Sequence, residues 1–117
     1  MEYSYKKKFK FEERIQESQT LLNKYRGRIP VICEKAPNTN LKSIEKIQFL
    51  CPFDMNITQF SFLIRRNLKL AEEVTIYLLV NGKKAIAGDE TMQYLYQNHK
   101  DKDGFLYITY ASEIFWG

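Results

Sequence analysis

Residues 49–70, FLCPFDMNITQFSFLIRRNLKL, decide the fold of this chain, because they run from a short strand into an amphipathic helix. Pro52 has no N–H to donate to a strand ladder, so the strand must lie at a sheet edge or end there. Asn56 and Gln59 have the spacing of a capping box, which predicts that a helix begins after Asn56. Its apolar residues share one helical face: Ile57, Phe60, Leu63, Ile64 and Leu68. The segment therefore predicts an edge strand followed by a core helix.

Two further segments are apolar on both strand faces. In residues 28–35, RIPVICEK, and residues 105–110, FLYITY, both alternating sets of side chains are mainly apolar. Strands of this kind lie inside a sheet that is covered on both sides. We expect residues 29–35 and 105–110 to form the central pair. Residues 49–52 then become an exposed edge, which is a liability unless a partner uses it.

The remaining segments complete a mixed order of helices and strands. Residues 11–28 have helical spacing, and residues 74–85, VTIYLLVNGKKA, predict a strand that runs into an Asn-Gly turn. Residues 89–100 predict a short helix with Asp89 or Thr91 as its cap. After the first helix, the predicted order is two strands, a helix, a strand, a short helix and a last strand. This is the chain order of the β-grasp fold.

Composition indicates one globular domain. The chain has 117 residues, of which 44% are hydrophobic and 27% charged, so we expect a single domain spanning 1–117. No apolar run is long enough to cross a membrane, and no secretory signal precedes the domain, so we expect a cytoplasmic protein. Cys33 and Cys51 each lie in an apolar run, which favours buried free thiols over a disulfide.

The net charge of +4 is concentrated near the N-terminus. Residues 1–28 contain eight Lys or Arg against four Glu, whereas residues 29–117 contain ten of each sign. A basic arm suggests a partner with negative charge, whether nucleic acid, anionic lipid or an acidic peptide. A solvated basic helix explains the same pattern equally well.

The sequence offers little for catalysis. His99 is the only histidine, and no glycine-rich stretch has the spacing of a phosphate loop. The acidic pairs Glu72/Glu73 and Asp101/Asp103 are interpreted as solvated turns or helix starts. We therefore predict that the protein is not an enzyme, with no metal and no cofactor.

Residues 104–110, GFLYITY, resemble the aromatic strand motif of RNA recognition modules. Asp103 stands where that motif has a basic residue, and Leu106 where it has a small one. Only seven residues follow Tyr110, too few for the further helix and strand of that module. No nucleic-acid partner is predicted from this motif, and RNA binding through the basic arm stays a minor alternative.

Three stretches together resemble one family: residues 28–36 (RIPVICEKA), residues 49–70, and residues 96–113 (YQNHKDKDGFLYITYASE). From about Tyr5 to Gly117 the chain is similar to the ubiquitin-like autophagy modifiers, the GABARAP-like proteins. The resemblance implies an α+β, ubiquitin-like β-grasp with a four-stranded mixed sheet and two additional N-terminal helices. The expected parts are a helical extension (1–27), a β-grasp core (28–111) and a flexible conjugation tail (112–117).

The resemblance also implies a function and its partners. Such proteins are joined through a C-terminal glycine, here Gly117, to phosphatidylethanolamine on autophagosome and cytoplasmic vesicle membranes. The implied partners are ubiquitin-type activating and conjugating enzymes, a processing and deconjugating cysteine protease, and cargo receptors. A monomer in solution is expected. The alternative is a non-conjugated β-grasp module that binds proteins in vesicle traffic or on the cytoskeleton.

The family further binds aromatic-x-x-aliphatic peptides as an added strand on the exposed edge. By position, the pocket for the aromatic side chain is expected at Glu17, Leu21, Pro30, Ile32, Gln48, Leu50 and Phe105. The pocket for the aliphatic side chain is expected at Phe49, Cys51, Pro52, Met55, Phe60 and Leu63. Arg28 and Lys46 form an expected basic rim. A second binding strand is implied at Ile76, Tyr77, Leu78 and Leu79, where a plain buried strand is the competing interpretation.

Several positions depart from the family pattern. Asn67 stands where Arg is usual and Gln48 where Lys is common, so a weaker preference for acidic flanks is expected. Residues 82–90, GKKAIAGDE, differ from the usual loop, and Trp116 replaces the customary Phe before the last glycine. The processing protease and the activating enzyme must therefore both accept a bulkier ring.

Overall fold

The fold is built on one five-stranded mixed sheet with helices on both faces. The computed structural model describes residues 2–112. The strands lie in the order β2-β1-β5-β3-β4, with β1 and β5 parallel and the other neighbours antiparallel. The elements are α1 (Ser4–Lys8), α2 (Phe11–Lys24), β1 (Arg28–Lys35), β2 (Gln48–Pro52), α3 (Ile57–Leu68), β3 (Tyr77–Val80), β4 (Lys84–Ala85), α4 (Met92–His99) and β5 (Leu106–Ala111).

The predicted central pair is confirmed. β1 and β5 pair from Val31↔Leu106 to Lys35↔Tyr110, and β2 lies at the sheet edge. Val31 and Cys33 enter the core under α3 and α4, whereas Ile32, one position out of phase, enters a second core under α1 and α2. Covering both faces explains why both alternating sets of β1 are apolar.

The prediction of four strands is wrong by one. The backbone reverses at Asn81 and Gly82, which have φ angles of 54° and 69°. Lys84 and Ala85 then pair back onto β3 and form β4. The strand expected from residue 74 begins only at Tyr77. An Asn-Gly pair with positive φ at both positions gives this tight hairpin, so the residues after it form a strand of their own.

The predicted helix starts are confirmed. The Asn56 side chain accepts from the Gln59 N–H, and the Gln59 side chain accepts from the Asn56 N–H, both over 2.9 Å. These two bonds satisfy two donors that the first turn of α3 leaves free. For α4, Thr91 is the cap, since its hydroxyl accepts from the Tyr94 N–H over 3.2 Å.

The helical extension is fastened to the core by buried polar groups. The Glu34 carboxylate on β1 accepts from the Ser4 N–H, the Ser4 hydroxyl and the Tyr5 N–H over 2.7–3.0 Å. These bonds hold the first turn of α1 against the sheet. In α2, the buried Arg14 donates to Asp103 over 2.8 Å. Part of the basic excess near the N-terminus is therefore neutralised within the fold.

The expectation of a solvated Asp101/Asp103 turn is wrong for Asp103. Asp103 is 1% exposed, and its carboxylate also accepts from the Phe105 N–H and the Tyr107 hydroxyl. Asp101 is half-buried and accepts from the Lys6 ammonium over 2.6 Å. Packing of the helical extension removes these carboxylates from water, and their cationic partners come from far away in sequence.

Within residues 2–112 both cysteines are buried and free, as predicted. No helix in that range is long and apolar enough to cross a membrane. Of the expected tail at 112–117, only Ser112 belongs to the described part of the chain, so the prediction for residues 113–117 lies outside it.

Candidate functional site

The candidate site is the outer edge of β2. Among residues 2–112, β2 pairs with β1 and with no second strand. The Cys33 N–H donates to the Ile47 carbonyl and the Phe53 N–H to the Gly27 carbonyl, so the hydrogen-bonded pairs fall at odd positions of β1. The backbone groups of Gln48 and Leu50 consequently point away from β1. Both residues present backbone donors and acceptors of the kind that a strand-forming partner requires.

Two residues of β1, Pro30 and Arg28, affect the backbone groups of this edge. Pro30 lies opposite Leu50, at a pair that is not hydrogen-bonded, so its missing N–H removes no bond between β1 and β2. The Arg28 guanidinium is exposed and donates to the Leu50 carbonyl over 3.3 Å. A cation of the expected basic rim is thus placed at the middle of the edge.

The two faces of β2 lead to two different sites. Gln48 and Leu50 lie on the face shared with α1 and α2, because their partners are Ile32 and Pro30. Phe49 and Cys51 lie on the opposite face, in the core under α3. Successive side chains of a strand alternate between these faces, so the edge is flanked by two separate sites.

On the α2 face, the residues expected to hold an aromatic side chain differ in exposure. Ile32 and Phe105 are fully buried, and Leu21 and Pro30 are also buried. The expected residues whose side chains are exposed or half-buried, and so can contact a partner, are Glu17, Gln48 and Leu50. The buried members form the floor of this side of the edge, and the exposed members form its walls.

A cavity of about 400 Å³ lies on the same face and includes residues that sequence reasoning missed. Glu17 and Gln48 line it, as expected, but Tyr5, Phe9 and Glu13 line it too. Tyr5 and Phe9 are four residues apart, as are Glu13 and Glu17. A spacing of four residues places each pair on one helical face, or on one side of the chain. This spacing is the feature of the sequence from which the shared lining could have been predicted.

Tyr5 joins this cavity to the core. Its ring packs at 5.3 Å from the Phe105 ring and at 5.0 Å from the Phe9 ring, measured between centroids. Burial, and then the nearby Glu17 carboxylate, raise the pKa of Tyr5 to about 12. The Tyr5 hydroxyl is therefore neutral at physiological pH, and its ring lines the cavity together with Glu13 and Glu17.

On the α3 face, the expected aliphatic pocket has a buried floor and a half-buried rim. Phe60, Phe49 and Cys51 are buried, and the Phe49 and Phe60 rings pack nearly perpendicular at 5.4 Å. Of the remaining expected members, Met55 and Leu63 are half-buried and pack against this core, whereas Pro52, two positions after Leu50, falls on the α2 face of β2. The Lys46 ammonium is 5.4 Å from the centroid of Phe49, so the second cation of the expected rim belongs to this face.

Lys46 also lines a polar cavity of about 270 Å³ near the last turn of α3. Lys42 and Lys69 line it as well, together with Ser43, Glu45 and Asn67. The Asn67 side-chain amide donates to the Leu63 carbonyl over 2.8 Å. This end of the edge is basic on the α3 side even with Asn67 in place of the usual Arg.

The second implied strand is only partly accessible. Leu78 and Leu79 are buried, Ile76 is half-buried and Tyr77 is 38% exposed. Ile76, Tyr77 and Leu78 line a cleft of about 210 Å³ between α3 and the β3-β4 hairpin. The structure brings three of the four residues to one cleft, and Leu79 is not part of its lining.

Neither cysteine in residues 2–112 is suited to nucleophilic chemistry. Burial raises the pKa of the Cys33 thiol far above its usual range and that of Cys51 to about 12, although Arg28 and Lys46 partly oppose the shift at Cys51. Thiols of this kind are not nucleophiles at neutral pH. Across residues 2–112 no three His, Cys, Asp or Glu side chains cluster as metal ligands would.

Comparison with known families identifies the family to which this fold belongs. The family model described as "Autophagy protein Atg8 ubiquitin like" matches residues 13–117. The chain belongs to the Atg8 family. Atg8 proteins are ubiquitin-like modifiers of autophagy and not enzymes, so the predictions of family, fold class and absence of enzymatic activity are confirmed.

Individual Atg8 proteins are similar over their whole lengths. The chain is 41% identical to autophagy-related protein 8 of Vanderwaltozyma polyspora, covering 100% of this chain and 98% of the relative. It is 39% identical to that of Schizosaccharomyces pombe, covering 100% and 96%. The crystal structure of Trypanosoma brucei ATG8 superposes with a TM-score of 0.92 at 29% identity, covering all of both chains.

One Atg8 structure also contains a bound peptide. Plasmodium falciparum Atg8, solved in complex with a Plasmodium falciparum Atg3 peptide, has a TM-score of 0.86 and 38% identity. The match covers 96% of this chain and 98% of that one. A relative with the same fold as this chain therefore binds a peptide.

Proposed function

We propose that this Atg8-family chain is a modifier joined through Gly117 to phosphatidylethanolamine. The family match, which extends through Gly117, carries the proposal. The Gly117 carboxylate first reacts with ATP to give an acyl adenylate and pyrophosphate, and an enzyme cysteine thiolate then displaces AMP to form a thioester. The lipid amine then attacks the thioester carbonyl, the thiolate leaves and takes up a proton, and an amide forms. Glycine suits this step because it has no Cβ beside the reacting carbon.

Conjugation would place the protein on membranes of autophagosomes and cytoplasmic vesicles. The two acyl chains of phosphatidylethanolamine are enough for stable anchoring, whereas one chain is not. Basic side chains near the N-terminus add attraction to anionic lipid, on the order of 1 kcal/mol each. Lys6 contributes less, since it already pairs with Asp101.

The proposed partners follow from this chemistry. Activating and conjugating enzymes carry the thioester, a cysteine protease processes and removes the modifier, and cargo receptors bind the folded domain. The Atg3 peptide in the Plasmodium falciparum complex supports a conjugating enzyme as one partner.

Cargo receptors would bind by adding an aromatic-x-x-aliphatic strand to β2. The observation that favours this mode is the position of the two sites on opposite faces of the edge. Residues three apart in a strand point to opposite faces, so an aromatic anchor toward α2 sets the aliphatic anchor toward α3. Gln48 lines the cavity on the first face, and Cys51, three residues later, belongs to the core on the second face. A peptide that reaches both in order runs parallel to β2.

Reconstituted conjugation tests the first proposal. With the Atg8 activating and conjugating enzymes, ATP and phosphatidylethanolamine vesicles, mass spectrometry should find the lipid on Gly117. Deletion of Gly117 should abolish the adduct, while Lys102→Gln, an exposed substitution far from Gly117 in sequence, should not. Peptide binding without any lipid adduct would favour the non-conjugated alternative instead.

Peptide N-methylation tests the added strand. Methyl groups on alternate peptide amides should abolish binding for the set that faces β2 and leave binding for the other set within about twofold, because only one set donates to the edge. Equal effects of the two sets would contradict strand addition. The measurement is isothermal titration calorimetry with the full chain.

A further inference from the structure

The cavity of about 400 Å³ on the α2 face shares Glu17 and Gln48 with the expected aromatic pocket and extends beyond that pocket to Tyr5, Phe9 and Glu13. Two of its lining residues, Tyr5 and Phe9, are aromatic, and two, Glu13 and Glu17, are acidic. Of the described residues that line it, none is Lys or Arg. Neither glutamate forms an ion pair within residues 2–112. Its lining therefore carries two negative charges and two aromatic rings.

Glu13 is held in place at the mouth of this cavity. It is the third residue of α2, and its carboxylate accepts from the Lys10 N–H over 2.8 Å. Glu17 lies one turn later on the same face. The Lys8 ammonium lies 5.6 Å from the centroid of Phe9, and the Arg14 guanidinium, which donates to the Phe9 carbonyl, is already paired with Asp103. The two carboxylates are thus positioned by the helix and available to a cation.

The opposite side of the same edge has the opposite charge. Lys42, Lys46 and Lys69 line the polar cavity beside α3, where Glu45 is the single carboxylate of the lining. A strand lying on β2 would therefore pass between an acidic side and a basic side. Side chains that alternate along such a strand would meet these two environments in turn.

We propose that the cavity of Tyr5, Phe9, Glu13 and Glu17 binds a Lys or Arg two positions before the aromatic anchor of a partner peptide. This inference rests on the proposed strand addition at β2. A residue two positions before the aromatic points to the same face and lies beyond Gln48, toward α1. Its aliphatic stem packs on the Tyr5 and Phe9 rings, and its cation meets the glutamates. A carboxylate at the same position faces two like charges.

Three peptides test the proposal with the full chain. They share one neutral aromatic-x-x-aliphatic core and carry Arg, Gly or Glu two positions before the aromatic. Calorimetry at low ionic strength should give the Arg peptide a Kd about 3- to 10-fold lower than the Glu peptide, as expected for charge pairs at a partly solvated site. The ratio of the two Kd values should fall toward one at 1 M salt, because salt screens the interaction between the peptide charge and the glutamates.

Glu13→Gln and Glu12→Gln are the matched variants. Glutamine at position 13 can still accept from the Lys10 N–H, so the start of α2 is kept, but the charge is lost. The Arg-to-Glu discrimination should fall at least twofold in Glu13→Gln. Glu12→Gln removes the same charge one residue away, outside the cavity, and should keep the wild-type ratio.

The possible outcomes distinguish failure of the cation site from failure of strand addition at β2. If the Gly peptide binds but the Arg and Glu peptides differ by less than twofold, the cation site is wrong and strand addition stands. Tighter binding of the Glu peptide, or discrimination that persists in Glu13→Gln, overturns the inference as well. If no peptide binds, strand addition fails and the inference fails with it.

Discussion

The Arg14 Nε lies 2.8 Å from an oxygen of Asp103, a residue 89 positions later in the chain, and both side chains are almost fully withdrawn from solvent. Arg14 also donates to the Phe9 carbonyl, and Asp103 also accepts from the Tyr107 hydroxyl. This pair joins α2 to the turn before β5, so the helical extension and the β-grasp core pack as one unit.

Asp103→Ala should lower the free energy of unfolding by about 3–5 kcal/mol, because it leaves the Arg14 charge buried without a partner. Urea denaturation followed by circular dichroism measures this. Asp54→Ala, at an exposed position, is the control and should cost less than about 0.5 kcal/mol. A loss below about 1 kcal/mol for Asp103→Ala would show that the pair is not needed.

The Lys6–Asp101 pair should make stability depend on acid pH. Burial raises the pKa of the Asp101 carboxyl, but hydrogen bonds from Lys6 and from the Asp103 N–H, with the charges of Lys6 and Arg14, hold it below its usual value. The folded-state pKa is therefore below the unfolded value of about 3.9. Stability from the pair is present above pH of about 4 and is lost as the pH falls through the folded pKa.

Lys6→Gln should accordingly be less stable than wild type at pH 7, and the difference should shrink as the pH drops below about 4. Unfolding curves at low ionic strength across this range measure it. Lys7→Gln is matched, since Lys7 pairs with Glu2 at 3.7 Å while both side chains are well exposed, and it should differ little from wild type. A pH-independent gap between Lys6→Gln and wild type would contradict this account.

Gly104→Ala should destabilise the protein more than Gly27→Ala. Both glycines have positive φ, 91° and 80°, so either substitution strains the backbone by about 1 kcal/mol. At Gly104 a Cβ would also collide with the buried Ser18 hydroxyl, which donates to the Asp103 carbonyl over 2.6 Å. At Gly27 an added Cβ would meet no described atom within 4 Å other than those of its chain neighbours. We expect at least about 1 kcal/mol of additional loss at Gly104 from the collision, measured by urea denaturation. Equal losses would rule out the collision.

The two thiols should resist modification in the folded protein. Burial raises the pKa of Cys51 to about 12 and that of Cys33 further, so neither is a thiolate at pH 8. Ellman's reagent should react slowly with native protein and release two equivalents of chromophore only after denaturation in guanidinium. Rapid reaction of one equivalent without denaturant would show that Cys51 is accessible at the β2 edge.

Local sequence signals predicted the elements that depend on local chemistry. The Asn56–Gln59 capping box, the Thr91 cap and the edge position of the strand that ends at Pro52 all follow from residues within a few positions of one another. The central pair was also predictable, because residues covered on both faces must be apolar on both faces.

Contacts between distant segments were not predictable in this way. Asp103 looks like a polar turn residue until Arg14 and Tyr107 surround it. The cavity on the α2 face is formed in part by Tyr5 and Phe9, which lie in α1 and at its end, and Glu34 holds the first turn of that helix against the sheet. Lys84 and Ala85 are too few residues to show strand periodicity, and only the hairpin reveals them.

The parallel pairing of β1 with β5 has a mechanical consequence. β5 is hydrogen-bonded on both sides, to β1 and to β3, and it leads directly to Ser112. A pull on the chain beyond Ser112, along the strand axis, would stretch all these bonds together rather than opening them one after another. If the protein is tethered through Gly117 while cargo pulls on the domain, the force acts first on a strand that is hydrogen-bonded on both sides.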